Sequence, residues 1–502
     1  MRLRMTNWSS PLKSHLSQRR WKVTFGRVFA CLFATLLLSL VSQAQTPDPK
    51  PPDPARPPLT PLPQLEDWSF LKEPSKRTET FDPIKYIALG HGSSYLSLGN
   101  EYRMEYERYT ASDFGVGPQD QNGYLILREL PHFDLHITNH FRFYNEFQFD
   151  YVDWRNGGPR PGIDEDRGDV QQSFMDFGTD VRSGRGFLLR AGRQEMVYGR
   201  GRFLDNNEGP NVKISFDGFK AGVSGPRGSL DIFAVKPVTI SPGFFDDAPA
   251  HGQSLWGFYG SNLTLGHGPK ADLYYLGWDN KNASYSVGTG REIRHTFGGR
   301  FDRPMGKGAD FDWESAFQWG AFTDKSIHAY TVQTETGYTF TESPGHVRPF
   351  LRFDVASGSA NSDPNGHSLG TFNSLFPRGA YISPKMPPPF AIVNVIDVHP
   401  MTWFQPFAHV ETSIGWDWFW RYNTGDGLYG LSGLPVRGTG LNGKVVTDRY
   451  ICQLGDMEIR WSPAAHLIFA FNFAGMINGA YLNHSGTSNN ITYINSGVTY
   501  RF

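Results

Sequence analysis

From Ser94 to the C-terminus the sequence alternates with a period of two, and this limits the chain more than any other feature. In residues 94–107 Leu96, Leu98, Tyr102, Met104 and Tyr106 fall on one side, while Ser97, Glu101, Arg103, Glu105 and Glu107 fall on the other. In residues 140–151 Phe141, Phe143, Phe147, Phe149 and Tyr151 oppose His140, Arg142, Glu146, Gln148 and Asp150. The stretches 311–319 and 466–473 repeat the pattern. No helix sorts residues this way, because its period is 3.6. A strand so sorted needs an apolar medium on one face and a polar one on the other.

The connections alternate as well. Short turns fall near Asn139, Ser183–Gly186, Gly225–Gly228, Gly266–Pro269, Pro304–Gly308, Ser343–Gly345, Pro406–Phe407 and Pro463–Ala465. Longer Gly-, Pro- and Asp-rich stretches lie between them, at 111–123, 155–169, 198–211, 238–253, 280–289, 356–392, 422–448 and 479–490, with a short exception at 323–326. About 18 hairpin-connected strands result. The expected fold class is all-β: a transmembrane, antiparallel up-and-down barrel. The mean hydropathy of −0.43 is no objection, since it averages a lipid face and a wet face. A β-sandwich buries its apolar face and does not explain so many aromatic residues on one side of long strands. A propeller or β-helix requires an internal repeat that is absent here. The final strand, ending Ile494, Val498, Tyr500 and Phe502 on one face, resembles the signal read by the bacterial barrel assembly machinery.

Three expectations concern the N-terminus. Residues 1–44 carry seven basic residues (Arg2, Arg4, Lys13, Arg19, Arg20, Lys22 and Arg27), an apolar run from Val28 to Val41, and then Ser42-Gln43-Ala44. This is the pattern of a secretory signal peptide, and the run is too short for a membrane-spanning helix. Its removal takes away all seven cations and no acid, so the chain's formal charge of −1 becomes −8. Residues 45–92 are expected to be a Pro-rich disordered linker and an irregular lead-in, and 93–502 the barrel. Cys452 is the single cysteine after the address, so no intrachain disulfide is available.

Motifs that resemble chemistry sit in the wrong context. Gly366-His367-Ser368-Leu369-Gly370 matches G-x-S-x-G, but lies in a Ser/Gly/Asn/Pro loop rather than a strand-to-helix elbow. Gly438 to Gly443 matches G-x-G-x-x-G, but no βαβ unit surrounds it. Asp164, Glu165, Asp166 and Asp169 offer oxygen ligands without a calcium-loop spacing and read as a solvated acidic loop. No cofactor, metal or catalytic residue is expected. A barrel lipase is the enzymatic alternative, and a loop-bearing adhesin a structural one. The acidic balance speaks against a nucleic-acid partner.

Several segments, in order, resemble the alginate export family of outer-membrane channels. They are Gly192-Arg193-Gln194-Glu195 with Tyr198-Gly199 and Arg202, Glu208-Gly209-Pro210-Asn211, and Ser215-Phe216-Asp217-Gly218. Asp397-Val398-His399-Pro400, Asp417-Trp418-Phe419-Trp420-Arg421 and Asp426-Gly427-Leu428-Tyr429 follow. The resemblance implies an 18-strand barrel in the outer membrane of a Gram-negative bacterium, passing an anionic uronic-acid polysaccharide. A periplasmic export complex is then a possible partner, besides outer-membrane lipid, the polysaccharide, and the assembly machinery reading Phe502. A general or small-anion porin is the runner-up.

Strand parity nominates the lumen residues. Arg103, Arg142, Arg190, Arg294, Arg300, Arg348, Arg352, Arg421 and Arg460 fall opposite the apolar face. Arg193, Arg202, Lys213 and Asp217 belong to the 192–218 motif, where a bend makes parity ambiguous. A guanidinium fork suits carboxylates, so these arginines and Lys213 are the expected contacts of an anionic cargo. Wall carboxylates Glu101, Glu105, Glu146, Asp217 and Asp354 are the competing partners.

Overall fold

The computed structural model describes residues 56–90, 92–264, 269–360, 366–379 and 389–502. The expected signal peptide, the first part of the Pro-rich linker and most of the turn at 266–269 lie outside the described residues.

Eighteen antiparallel strands close into a barrel among the described residues. They are β1 (Tyr95–Gly99 continuing as Glu101–Tyr109), β2 (Tyr124–Glu129 continuing as His132–His136), β3 (Phe141–Asp153), β4 (Asp166–Asp180), β5 (Arg185–Gln194) and β6 (Phe216–Gly225). Then come β7 (Gly228–Thr239), β8 (Gln253–Thr264), β9 (Lys270–Tyr285), β10 (Gly288–Pro304), β11 (Ala309–Phe322) and β12 (Lys325–Tyr338). The last six are β13 (Arg348–Ala356), β14 (Val395–Phe407), β15 (Val410–Arg421), β16 (Tyr450–Ala464), β17 (Leu467–Asn478) and β18 (Ile491–Arg501). Each strand pairs with its sequence neighbour, and β18 pairs with β1 from Tyr493↔Tyr109 to Arg501↔Glu101. That last pairing removes the open edges a flat sheet would leave.

The alternation read from the sequence divides inside from outside. On β1, Glu101, Arg103, Glu105 and Glu107 are buried, while Tyr102 and Met104 are 41% and 39% exposed. On β11, Trp313, Phe317 and Trp319 are exposed and Asp312, Glu314 and Gln318 are buried. An exposed aromatic face with a buried charged face is the inverse of a soluble protein, and it fits a barrel surrounded by lipid.

One connection departs from expectation. Residues 280–289 read as a long loop, but β9 and β10 run on to a two-residue turn with Tyr285 opposite Gly288. Ala283, Tyr285 and Val287 alternate beneath the Gly/Ser-rich stretch. They are buried in a cluster with Phe322, Ile327, Leu369, Val393 and Tyr429. That burial carries the strands past the turn residues.

The lead-in is ordered where described. Residues 63–76 form three single 3-10 turns, α1 (Asp82–Lys85) follows, and Ile87–Ala88 pairs with Leu96–Tyr95. Trp68, Leu71, Tyr86 and Tyr95 make a small core of their own. Arg56 binds Asp82 at 2.7 and 2.8 Å. The Phe81 ring stacks on Phe502 with centroids 4.5 Å apart, and Arg142 of β3 donates to the Gln64 carbonyl at 2.9 Å. Residues 59–66 thus lie against the inner wall, beside Glu101, Leu130, Glu146 and Lys213. A sequence rich in proline forms no hydrogen-bonded ladder, but its carbonyls still accept from wall cations.

Lys85 makes this docking pH-dependent. Its side chain is buried against Trp68 and fits because Gly99 has no Cβ, which would lie 2.6 Å from Nζ. Burial pulls its ammonium down to about 8 while Glu66 and Asp134 oppose that shift. Below about pH 8 the lysine is charged both docked and free, and its desolvation weakens docking in full. Between about 8 and its ordinary value of 10.5 only the free form is charged. Docking therefore tightens as pH rises through that window, by on the order of 3 kcal/mol. Limited proteolysis of the lead-in, normalised to an unstructured substrate, is expected to slow between pH 7.5 and 10 in the native protein. The change is expected to vanish in Lys85→Met.

Candidate functional site: the barrel lumen

Two connections fold inward and are bound to the inner wall. The segment 195–215 leaves β5, which ends early at Gln194, and re-enters the wall at Phe216. On one side it meets β1 and β2. Arg103 donates to the carbonyls of Glu208 and Pro210 at 3.0 and 2.7 Å. Arg128 binds Glu101 at 2.5 Å, contacts the Glu208 carboxylate, and donates to the carbonyls of Glu208, Pro210 and Asn211. Arg103 and Arg128 stand directly opposite in register. Two neighbouring cations are tolerated there because both spend their donors on the same loop. On the far side of the lumen Arg202 reaches β11, binding Asp312 and Glu314 at 2.9 and 3.0 Å. Lys213 lies 3.5 Å from Glu195 and 3.2 Å from Glu208, and donates to the Pro61 carbonyl at 3.2 Å.

The second connection, between β13 and β14, follows the first. Asp205 N–H donates to the Phe376 carbonyl and Phe376 N–H to that of Phe203. Arg294 on β10 holds this loop through the Thr371 carbonyl at 3.1 Å, and also binds Gln318 and Glu292. The segment 422–449 is gathered by Arg421, which donates to the carbonyls of Thr424, Asp426, Val446 and Asp448 while lying 4.0 Å from the Tyr481 ring. Asp426 joins these loops, accepting from Ser286, Ser359, Thr371 and Tyr429.

The nominated cations therefore do different things. Arg103, Arg294 and Arg421 hold loop carbonyls. Arg142 pairs with Asp134 at 2.6 Å and Arg190 with Asp176 at 2.7 Å, both in the wall. Arg193 is held by Asp217 at 2.9 Å, and Lys213 sits among loop acids. Arg460 is exposed near the end of β16. Apart from Arg460, Arg348 and Arg352 are the most exposed of the nominated cations among the described residues, and they belong to a cluster on β10–β13. There Arg300 shares Asp312 with Arg202, and Arg348 and Arg352 share Glu335. Arg200 reaches Asp312 and Glu335 from the inward loop. Side-chain exposure is 44% for Arg200, 19% for Arg348 and 18% for Arg352, so these guanidiniums are within reach of solute.

Sequence reading missed Arg128 and Arg200. Arg128 shares the inward parity of Tyr124 and Ile126, a signal present in residues 124–129. Arg200 stands between Gly199 and Gly201, where no strand parity exists. The acidic loop is not solvated as expected. Asp164 is buried between Arg155 and Arg160, and Asp166 accepts from Gln148 at 2.5 Å. The G-x-S-x-G serine lies on a two-residue strand parallel to β12, and the described residues 370–378 after it are not helical. Residues 440–445 form a small exposed hairpin.

Residues 94–494 match the family model described as Alginate export. The chain belongs to the alginate export family. Among solved structures the fold is similar to Pseudomonas aeruginosa OpdO, at 9% identity, TM-score 0.54, over 81% of this chain and 97% of that one. It is also similar to P. aeruginosa OpdK solved with vanillate, at 10% identity and TM-score 0.52, covering 81% and 98%. P. aeruginosa OccK2 (OpdF) in complex with glucuronate gives 9%, 0.52, 81% and 98%. No curated protein matches the chain. Family and fold are those of outer-membrane channels. In this chain the segment 208–211 is the stretch gripped by Arg103 and Arg128, and 417–421 ends in the arginine that gathers 422–449.

Proposed function

We propose that this alginate-export channel passes carboxylated saccharides, uronic-acid chains foremost, along the Arg200–Arg348–Arg352 wall. The observation that carries the reading is the exposure of these three guanidiniums beside carboxylates they already share. A guanidinium with a replaceable partner can exchange it for a cargo carboxylate at little net cost, and several such sites in file let a chain advance without sticking. The glucuronate and vanillate held by the two similar porins are both carboxylates, which supports the same chemistry here. Passage is passive, with no bond made or broken.

Charge reversal tests the wall. Arg352→Glu, and more strongly Arg348→Glu with Arg352→Glu, is expected to move the reversal potential in a salt gradient toward cation selectivity. Arg460→Glu, at the exposed strand end, is expected to leave it within error. An unchanged reversal potential in the double variant would remove this wall from the permeation path.

A further inference from the structure

The inward face of β14–β16 holds buried ionisable groups several of whose atoms make no hydrogen bond. Asp397, His399, Asp417 and Asp456 are 3%, 1%, 0% and 5% exposed. Both carboxylate oxygens of Asp417 and of Asp456, Asp397 Oδ1 and His399 Nε2 lack hydrogen-bond partners. Leaving such groups unpaired in a closed wall is expensive. Asp354 stands directly opposite Asp397 and adds to the negative charge. The neighbouring cation, Arg352, is committed in part to Glu335.

The imidazole is set between two carboxylates in unlike ways. Nδ1 lies 3.2 Å from Asp417 Oδ2, within ion-pair distance though not aligned as a hydrogen bond. Nε2 lies 3.7 Å from Asp456 Oδ2, too far for a hydrogen bond. Two ligand atoms each about 2.1 Å from one metal ion are separated by about this distance when the angle at the metal is wide. Gly415 lies beside both, where a Cβ would lie 2.5 Å from His399 Nε2 and 3.3 Å from Asp456 Oδ1.

We propose that His399 Nε2 and the Asp456 carboxylate bind a divalent transition-metal ion of the zinc class, with Asp417 positioning the imidazole through Nδ1. Carboxylate, histidine and metal in that order fix the ring and raise its basicity. An imidazole nitrogen with a carboxylate oxygen favours zinc-class ions over calcium, which prefers an all-oxygen shell. The remaining positions fall to water. The site goes beyond the transport reading and does not depend on it.

Equilibrium dialysis of the untagged, detergent-solubilised protein against Zn²⁺ tests this. About one ion per chain is expected, with no comparable uptake of Ca²⁺. His399→Gln, Asp456→Asn and Gly415→Ala should each lose that ion, and Asp417→Asn should weaken it roughly 10–100-fold. Co²⁺ in the native protein should give visible absorption that is lost in His399→Gln, a readout that a purely structural role would not move. Heat-modified mobility on gels verifies that each variant is a closed barrel. No stoichiometric Zn²⁺ uptake by the native protein, or uptake unchanged in closed His399→Gln and Asp456→Asn barrels, would overturn the proposal.

Discussion

Replacing Arg128 with alanine is expected to destabilise the barrel by about 3–5 kcal/mol, the usual cost of removing one partner from a buried ion pair. Arg128 is fully buried, and its five donors serve Glu101, Glu208 and three carbonyls of the inward loop. Its loss leaves Glu101 with Arg501 at 2.6 Å and Glu208 with Lys213 at 3.2 Å, while the carbonyls near Pro210 keep only Arg103. The loop is then held on the β11 side through Arg202 and loosened on the β1–β2 side. Urea unfolding in detergent measures the first effect. Single-channel recordings measure the second, as larger and noisier current. Lysine at 128 is expected to recover part of the stability but not the quiet current, since one ammonium cannot reach carboxylates and carbonyls together.

Deleting residues 56–86 is expected to raise single-channel conductance several-fold. Residues 59–66 of this segment lie against the inner wall beside Lys213, and the segment is fastened by Arg142 to Gln64 and by Phe81 to Phe502. The barrel closes through β18 on β1 without them, so the deletion leaves every strand pairing in place. Phe81→Ala, which removes the stacking on the terminal ring, is expected to give a smaller increase in the same direction. An unchanged current in the deletion would place the permeation path wholly clear of the lead-in.

The barrel itself was legible because lipid and water impose opposite demands on successive residues. The parity of Tyr102 and Arg103, or of Phe141 and Arg142, therefore carries over directly into outside and inside. The same rule put Arg103, Arg142, Arg190, Arg294, Arg300, Arg348 and Arg352 on the inner face. It could not say which of them meet solute, because that depends on loops with no periodicity of their own. Arg103 holds carbonyls 105 and 107 residues away and Arg421 ones up to 27 residues away, and backbone acceptors leave no trace in residue identity. Arg200, the most exposed member of the water-facing cluster, comes from such a loop. The turn at Ser286 was hidden for a related reason: glycine and serine around it suggested a loop, while Tyr285 and Val287 had buried partners on β11, β12 and the distant 389–393 segment.

The proposed route for carboxylated saccharide is the cation-bearing wall. Planar-bilayer current through the native channel, recorded while oligouronates are added, tests it most directly. Chloride current is expected to fall in a dose-dependent manner with oligouronate and to be unaffected by neutral oligosaccharides of the same length. The oligouronate block should weaken in Arg348→Glu with Arg352→Glu. Chloride current indifferent to oligouronates, or blocked equally by neutral chains, would contradict the account.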